Sequence, residues 1–268
     1  MTLNITAEQY TTNILKQLQL SQELGITINY MEIPFFIKRV IREKTEQHLS
    51  DFTTKRNSTF DFDDFKVKFL CQHEIDCVNR YKSMKKQIEW ISGRFVVKNM
   101  VKQLIAPNIE LSDLQILYKE EGSPFLDKFP SVNISITHSG DYVAAALCST
   151  GKKIGIDIEK RDYTPAKSSE SDSSNPFSNS FMKIAFTQRE IDSIALKYRK
   201  DAEEGEEVMR RWTIKEAFLK YIGRGFNEKL KAVEVLDDKI LYNGQEVNNI
   251  EISSFNIDSN YLLSLIYG

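Results

Sequence analysis

The stretch Lys153-Ile-Gly-Ile-Asp-Ile-Glu-Lys160 alternates apolar and charged side chains with the two-residue period of a half-buried strand. Residues i and i+2 of a strand share a face, so Asp157 and Glu159 project together while Ile156 and Ile158 face the other way. Neighbouring carboxylates repel. At about 4 Å and an effective dielectric of about 20 the repulsion is roughly 4 kcal/mol. A divalent oxygen-seeking cation, a shared proton or a nearby base offsets that cost, and a solvated strand face is the plain alternative.

About fifty residues on, Arg211-Trp-Thr-Ile-Lys-Glu-Ala-Phe-Leu-Lys-Tyr221 reads as a strong helix stopped by Gly223-Arg-Gly225. Glu216 and Lys220 are four apart and share a face. A purely structural reading exists here too: Thr213-x-x-Glu216 has the form of a capping box, with Lys220 as an ion-pair partner of Glu216.

Between these stretches, residues 164–180 are rich in Ser, Pro and Asn without periodicity and are expected to be an insertion. Thr187 to Glu190 forms a capping box that opens a helix through Ile191, Ile194 and Tyr198. The acidic run from Asp201 to Glu207 is expected as a loop or the first turn of the next helix. After Gly225 short strands alternate with turns, and Asn243-Gly244 is a hairpin signal between Ile240 and Val247.

Upstream, residues 7–24 carry a sparse helical apolar face of Tyr10, Ile14, Leu18 and Leu20. Ile26 to Phe36 reads as a strand, Asp51 to Asp64 as a polar connector and Val67 to Leu70 as a short apolar run. Cys71 to Ile105 has helical periodicity, with Met84, Ile88, Ile91 and Phe95 on one face. Gly93 inside that face implies close packing or a break. Residues 114–118 and 125–126 read as short strands around the turn Gly122-Ser-Pro124. Val132 to Ile136 and Tyr142 to Cys148 form a hairpin whose loop is Thr137-His-Ser-Gly-Asp141. Helices and strands mix throughout, so the expected class is α+β (α/β).

The chain has 268 residues, 41% hydrophobic and 28% charged, with a formal net charge of −2. That balance is ordinary for a globular protein and argues against a general nucleic-acid binder. No apolar run approaches the roughly 18 residues of a membrane span, and Met1-Thr-Leu-Asn-Ile-Thr-Ala-Glu8 has no basic segment leading into an apolar one. Three cysteines suit a reducing compartment, and a cytoplasmic location is expected. Cys71-x-His73-x3-Cys77 lacks the paired knuckles of a structural zinc site.

Gly155-Ile-Asp-Ile-Glu159 followed by Trp212-x-x-Lys-Glu-Ala-x-x-Lys220 resembles the 4′-phosphopantetheinyl transferases, in particular their long, pseudo-dimeric type. Glu89-Trp-Ile-Ser-Gly-Arg-Phe-Val-Val-Lys98 is similar to the family's helix with a Gly-Arg pair. Gly122-Ser-Pro-Phe125 is similar to its Gly-Lys-Pro turn, and Asn133-Ile-Ser-Ile-Thr-His-Ser-Gly140 to its Asn-x-Ser-His-Ser-Gly loop. The resemblance runs from about residue 65 to 230. It implies two similar subdomains, each a small sheet packed with a long helix, and an active site in the cleft between them. The division expected is 1–151 and 152–268, with 1–64 a poorly matched extension.

The implied activity moves the phosphopantetheine arm of coenzyme A onto a serine of an apo acyl or peptidyl carrier protein and releases adenosine 3′,5′-bisphosphate. Magnesium, or manganese in its place, is implied on Asp157, Glu159 and Glu216, as befits a cation that takes carboxylate and phosphate oxygens. Glu216 is implied as the base and Lys220 as a contact to the pyrophosphate, alongside Asp157. Arg94, Gly122, Ser123, Pro124, Thr137, His138 and Ser139 are implied in coenzyme binding. Ser123 stands where the family has Lys, removing one cationic contact, and Thr137 stands where it has Ser. The resemblance further implies a monomer with no nucleic-acid or membrane partner. A non-catalytic coenzyme- or nucleotide-binding module that docks a carrier or synthase is the alternative; it would keep Arg94 and His138 and need no acidic set.

Overall fold

In a computed structural model, residues 14–18, 20, 22–38, 66, 69–161, 179–197, 201–225 and 228–268 are described. They fall into two units, those within 1–118 and 124–151, and those within 152–268 and 119–123. The grouping of 119–123 with the second unit is not anticipated by a simple division after residue 151.

In the first unit, β1 (Lys16–Leu18), β2 (Ile26–Glu32), β3 (Ile116–Tyr118), β4 (Pro124–Leu126), β5 (Asn133–Ser139) and β6 (Tyr142–Cys148) form one antiparallel sheet of order β1-β2-β6-β5-β4-β3. A short helix α1 (Ile33–Phe36) follows β2, and α2 (Gln72–Asn79) leads into the 21-residue α3 (Met84–Leu104). Ile88, Ile91, Phe95 and Val96 of α3 pack with Met31 of β2, Ile134 of β5 and Val143, Ala145 and Leu147 of β6. Gly93 permits this approach, since a Cβ there would stand 2.8 Å from Ile136 Cγ2. The helix runs through Gly93 unbroken. The break in the 71–105 pattern falls instead at residues 80–83, between α2 and α3.

The helix expected over 7–24 is reduced in its described part to a single 3-10 turn, Gln22–Leu24. Lys16–Leu18 is a strand, paired antiparallel with β2 from Lys16 opposite Tyr30 to Leu18 opposite Ile28. Edge pairing overrides a sparse apolar face that had too little to bury as a helix. Residues 7–13, the connector at 51–64 and the insertion at 164–178 lie outside the described residues. Within residues 1–64, the described strand β2 pairs with β6 over its whole length, from Ile26 opposite Cys148 to Glu32 opposite Tyr142. The loop expected at 137–141 is also shorter than its sequence suggests. Thr137, His138 and Ser139 belong to β5, and the turn is made by Gly140, at φ +53°, and Asp141.

The second unit has a sheet β11-β12-β7, formed by β7 (Ile154–Lys160), β11 (Glu251–Ile257) and β12 (Tyr261–Tyr267). A smaller sheet holds β8 (Val233–Leu236), β9 (Lys239–Tyr242) and β10 (Gln245–Glu246). Its helices are α4 (Asn179–Ala185), α5 (Gln188–Lys197) and the 21-residue α6 (Asp201–Tyr221). Ile214, Ala217 and Phe218 of α6 pack on Val233, Val235, Ile240 and Ile266. The helix ends as the glycines require. Gly223 takes φ +73°, Arg224 N–H donates to Leu219 O and Gly223 N–H to Lys220 O, the Schellman arrangement. Asn243 and Gly244, both at positive φ, close the β9–β10 hairpin.

Each long helix is tied to its unit by a buried ion pair. Lys98 donates to Glu74 and to the carbonyls of Phe69 (2.8 Å) and Leu111 (3.0 Å), while Glu74 also accepts the N–H groups of Cys71 and Ile116. Lys215 donates to Glu190 (2.7 Å) and to the carbonyls of Ala185 (2.7 Å) and Leu230 (3.4 Å), while Glu190 also accepts the N–H groups of Thr187 and Val235. All four charged side chains are buried. Burial pulls both ammonium groups below their usual pKa, against the opposing charge of Glu74 and Glu190.

Candidate active site

The second unit places β7 directly beneath α6, and Gly155 is what allows it. A Cβ at Gly155 would overlap the Ala217 carbonyl oxygen and press on the backbone of Tyr221. The close approach brings the strand's next residue on that face, Asp157, to the last turn of the helix. Lys220 Nζ lies 2.7 Å from Asp157 Oδ1. One hydroxyl pair fixes the position of helix on sheet. Thr213 Oγ1 is 2.7 Å from Ser264 Oγ, and Ser264 sits opposite Asp157 across the β12–β7 ladder.

Thr213 is therefore not a helix cap. It lies in the middle of α6, donates to Arg210 O within the helix and anchors the helix to β12. Glu216, one turn later, is 7% exposed and points into the same acidic neighbourhood. Burial first, then the negative charges of Asp157 and Glu159, push its carboxyl up to about 7, while the Lys220 ammonium pulls it down. Glu159 is held from a third direction: the Trp212 indole N–H donates to its Oε1 at 3.1 Å. Trp212 is braced edge-on by Phe181 of α4, ring centroids 5.1 Å apart.

The structure thus brings together Asp157, Glu159, Glu216 and Lys220 in one unit. Gly122 and Ser123 belong to that unit as well. Their turn, with Gly122 at φ +94°, packs beside Gly223, three residues beyond Lys220. Pro124, Thr137, His138, Ser139 and Arg94 belong to the other unit. Thr137 is buried and His138 exposed at the end of β5. Arg94 is 2% exposed. Its guanidinium stacks on the Trp90 ring at 3.0 Å from the centroid, lies 3.6 Å from Glu74 and donates to Tyr118 OH at 3.3 Å. Its buried Nε has no hydrogen-bond partner among the described residues in this arrangement.

The chemistry of the donor set fits a hard divalent cation: three carboxylates with excess negative charge, one of them raised toward neutrality by burial and then by the other two. Among the described residues no three His, Cys, Asp or Glu side chains form a ready-made metal cage. Magnesium does not require one, since it keeps several waters and shares its remaining positions between one or two carboxylates and substrate phosphates.

Reading residues alone did not give Trp212, Ser264 or Gly155 their parts. The tryptophan was visible in the motif, but its partner Glu159 is 53 residues away. The glycine's signal was its place two residues before Asp157 on the same strand face.

Residues 153–263 match the model of the 4′-phosphopantetheinyl transferase superfamily, and the chain belongs to that superfamily. It is 30% identical to the 4′-phosphopantetheinyl transferase Sfp of Bacillus subtilis over 169 residues, 63% of this chain and 67% of that protein. It is 34% identical to a holo-[acyl-carrier-protein] synthase of Streptococcus uberis over 89 residues, 31% of this chain and 75% of that one. The human L-aminoadipate-semialdehyde dehydrogenase-phosphopantetheinyl transferase is 28% identical over 149 residues, 54% of this chain. The chain spans about half the length of that human relative, 45% of it.

Proposed function

We propose that the chain transfers the 4′-phosphopantetheine arm of coenzyme A to a serine hydroxyl of an apo acyl or peptidyl carrier protein. The observation that carries this reading is the convergence of Asp157, Glu159, Glu216 and Lys220 where α6 crosses β7. The family resemblance makes Glu216 the general base, which would accept the serine proton as the hydroxyl oxygen bonds to the phosphorus that bears the pantetheine arm. The bond from that phosphorus to the bridging oxygen breaks, and adenosine 3′,5′-bisphosphate leaves. Asp157, Glu159 and Glu216 would hold magnesium, which when bound would supply charge stabilisation to the phosphoryl oxygens and the leaving group. Lys220, on a flexible stem at the end of its helix, contacts the pyrophosphate. Gly122, Ser123, Pro124, Thr137, His138, Ser139 and Arg94 are the residues to which the family resemblance gives the rest of the coenzyme.

No helix among the described residues is long and apolar enough to cross a membrane. The free cysteines Cys71, Cys77 and Cys148 support placing the reaction in the reducing cytoplasm, with the chain acting as a monomer. The test is the mass of an apo carrier protein incubated with the chain, coenzyme A and magnesium. A gain equal to the phosphopantetheine arm is expected. Asp157→Ala and Glu216→Ala are expected to abolish it while circular dichroism stays unchanged. Wild-type protein that loads none of a panel of unrelated carriers would overturn the reading.

A further inference from the structure

The acidic cluster already contains a cation of its own. The Lys220 ammonium sits 2.7 Å from Asp157 Oδ1, and the same charge opposes the burial and repulsion acting on Glu216. The lysines of α6 differ in their freedom. Lys215 is fully buried and donates to three oxygens, which fixes it. Lys220 has 27% of its side chain exposed, against 7% for Asp157, and stands in the last turn before the glycine stop. A long stem with one end in solvent can leave its partner without unpacking a core. Asp157, held in β7 between strand and helix, cannot follow it.

We propose that Lys220 is the resident counter-ion of this cluster and that magnesium takes its place on Asp157. An oxygen engaged by an ammonium group is a poor ligand for a second cation, and two cations on one carboxylate repel. Metal binding therefore releases Lys220 from Asp157 toward solvent, where phosphate oxygens of the coenzyme become its next partner. The order of events follows: metal first displaces the lysine, and the displaced lysine then meets the anion. The proposal rests on reading the cluster as the transferase's metal site.

The test is magnesium binding to the full-length protein without coenzyme A, by isothermal titration calorimetry, for wild type, Lys220→Met and Lys220→Arg. Lys220→Met keeps the apolar stem and removes the competing charge. It is expected to bind magnesium at least tenfold more tightly than wild type, while Lys220→Arg, which keeps the charge, stays near wild type. Thermal unfolding gives a second readout that does not depend on turnover. Magnesium should raise the melting temperature of Lys220→Met by clearly more than that of wild type. Equal or weaker affinity in Lys220→Met, including no binding by either protein, overturns the exchange. The two readings fail separately. Wild type that loads carriers while Lys220→Met shows no gain in affinity sinks the exchange alone; a gain in affinity with no carrier loaded by wild type sinks the transferase reading alone.

Discussion

The two units share one frame and differ in what is mounted on it. In each, a strand of seven residues pairs along its whole length with a later antiparallel strand, β2 with β6 and β7 with β12. In each, a capped helix presents a buried glutamate at its third position, and a 21-residue helix supplies the lysine that meets it. An arginine lies four residues before that lysine in both, Arg94 before Lys98 and Arg211 before Lys215, and both arginines are buried. The residue after each lysine is where the units part. Asn99 follows Lys98, and Glu216 follows Lys215. Aligning the strands by their pairing ends sets Asn29 against Asp157 and Met31 against Glu159. The clamp is common to both units and so belongs to the fold. Among the described residues the carboxylates at these positions occur in the second unit alone, where the proposed chemistry needs them.

Breaking the clamps has the largest expected effect. Lys215→Met leaves buried Glu190 without its cation and Lys98→Met leaves Glu74 with only Arg94 at 3.6 Å; breaking such a buried pair typically costs about 3–5 kcal/mol. Chemical denaturation should show both losses. Hydrogen exchange should assign the first to the β2–β6 region and the second to the β7–β12 region. A cost below about 1 kcal/mol for either would mean that the ion pairs are incidental to the frame.

The acidic difference is sharpened by pH. Glu216 has a carboxyl pushed up from 4.5 to about 7 in the native chain, so between those values the native state holds a proton that the unfolded chain has released. The unfolded state then binds fewer protons, and stability falls as pH rises through that window. The gap corresponds to at most about 3.5 kcal/mol. Asn99, its counterpart in the other unit, does not titrate. Urea unfolding of metal-free protein at pH 5 and pH 8 should show the fall, and Glu216→Gln should reduce the slope across that window. An unchanged slope in Glu216→Gln would remove Glu216 as its source.

How much of this was open to reading the chain depended on how local the cause was. The β7 alternation, the Thr187 to Glu190 capping box, the glycine stop after Tyr221 and the Asn243-Gly244 turn are each decided within a few residues, and each formed. Lys16–Leu18 was misread because its strand exists only by pairing with β2. The cap alternative at Thr213 fails because a hydroxyl three residues before a glutamate has that form whether or not a helix already runs through it. The clamps were invisible for a different reason. Glu74 and Lys98 are 24 residues apart, Glu190 and Lys215 are 25 apart, and in sequence a buried charge looks the same as a solvated one. Asp157, Glu159, Glu216 and Lys220 were found because strand and helix periods put each pair on one face. What joins the pairs is Gly155 under α6, a contact with Ala217 and Tyr221 that no local pattern encodes.

Gly155 provides the smallest and most local test of the comparison. Its counterpart in the pairing alignment is Thr27, so the first unit carries a side chain where the second has none. Gly155→Ala would drive a methyl group into the Ala217 carbonyl and the Tyr221 backbone, groups that no rotamer change can move. The helix must lift from β7, at a cost of about 1–3 kcal/mol as in other overpacked sites. Lifting the helix also separates Lys220 and Glu216 from Asp157, so the transfer rate should fall by more than the stability loss explains at a temperature where the variant remains folded. Thr27→Ala, which opens space without forcing anything apart, should cost less than about 1 kcal/mol and leave transfer unchanged. If Gly155→Ala is as mild as Thr27→Ala in both measurements, close approach of α6 to β7 is not what assembles the acidic cluster.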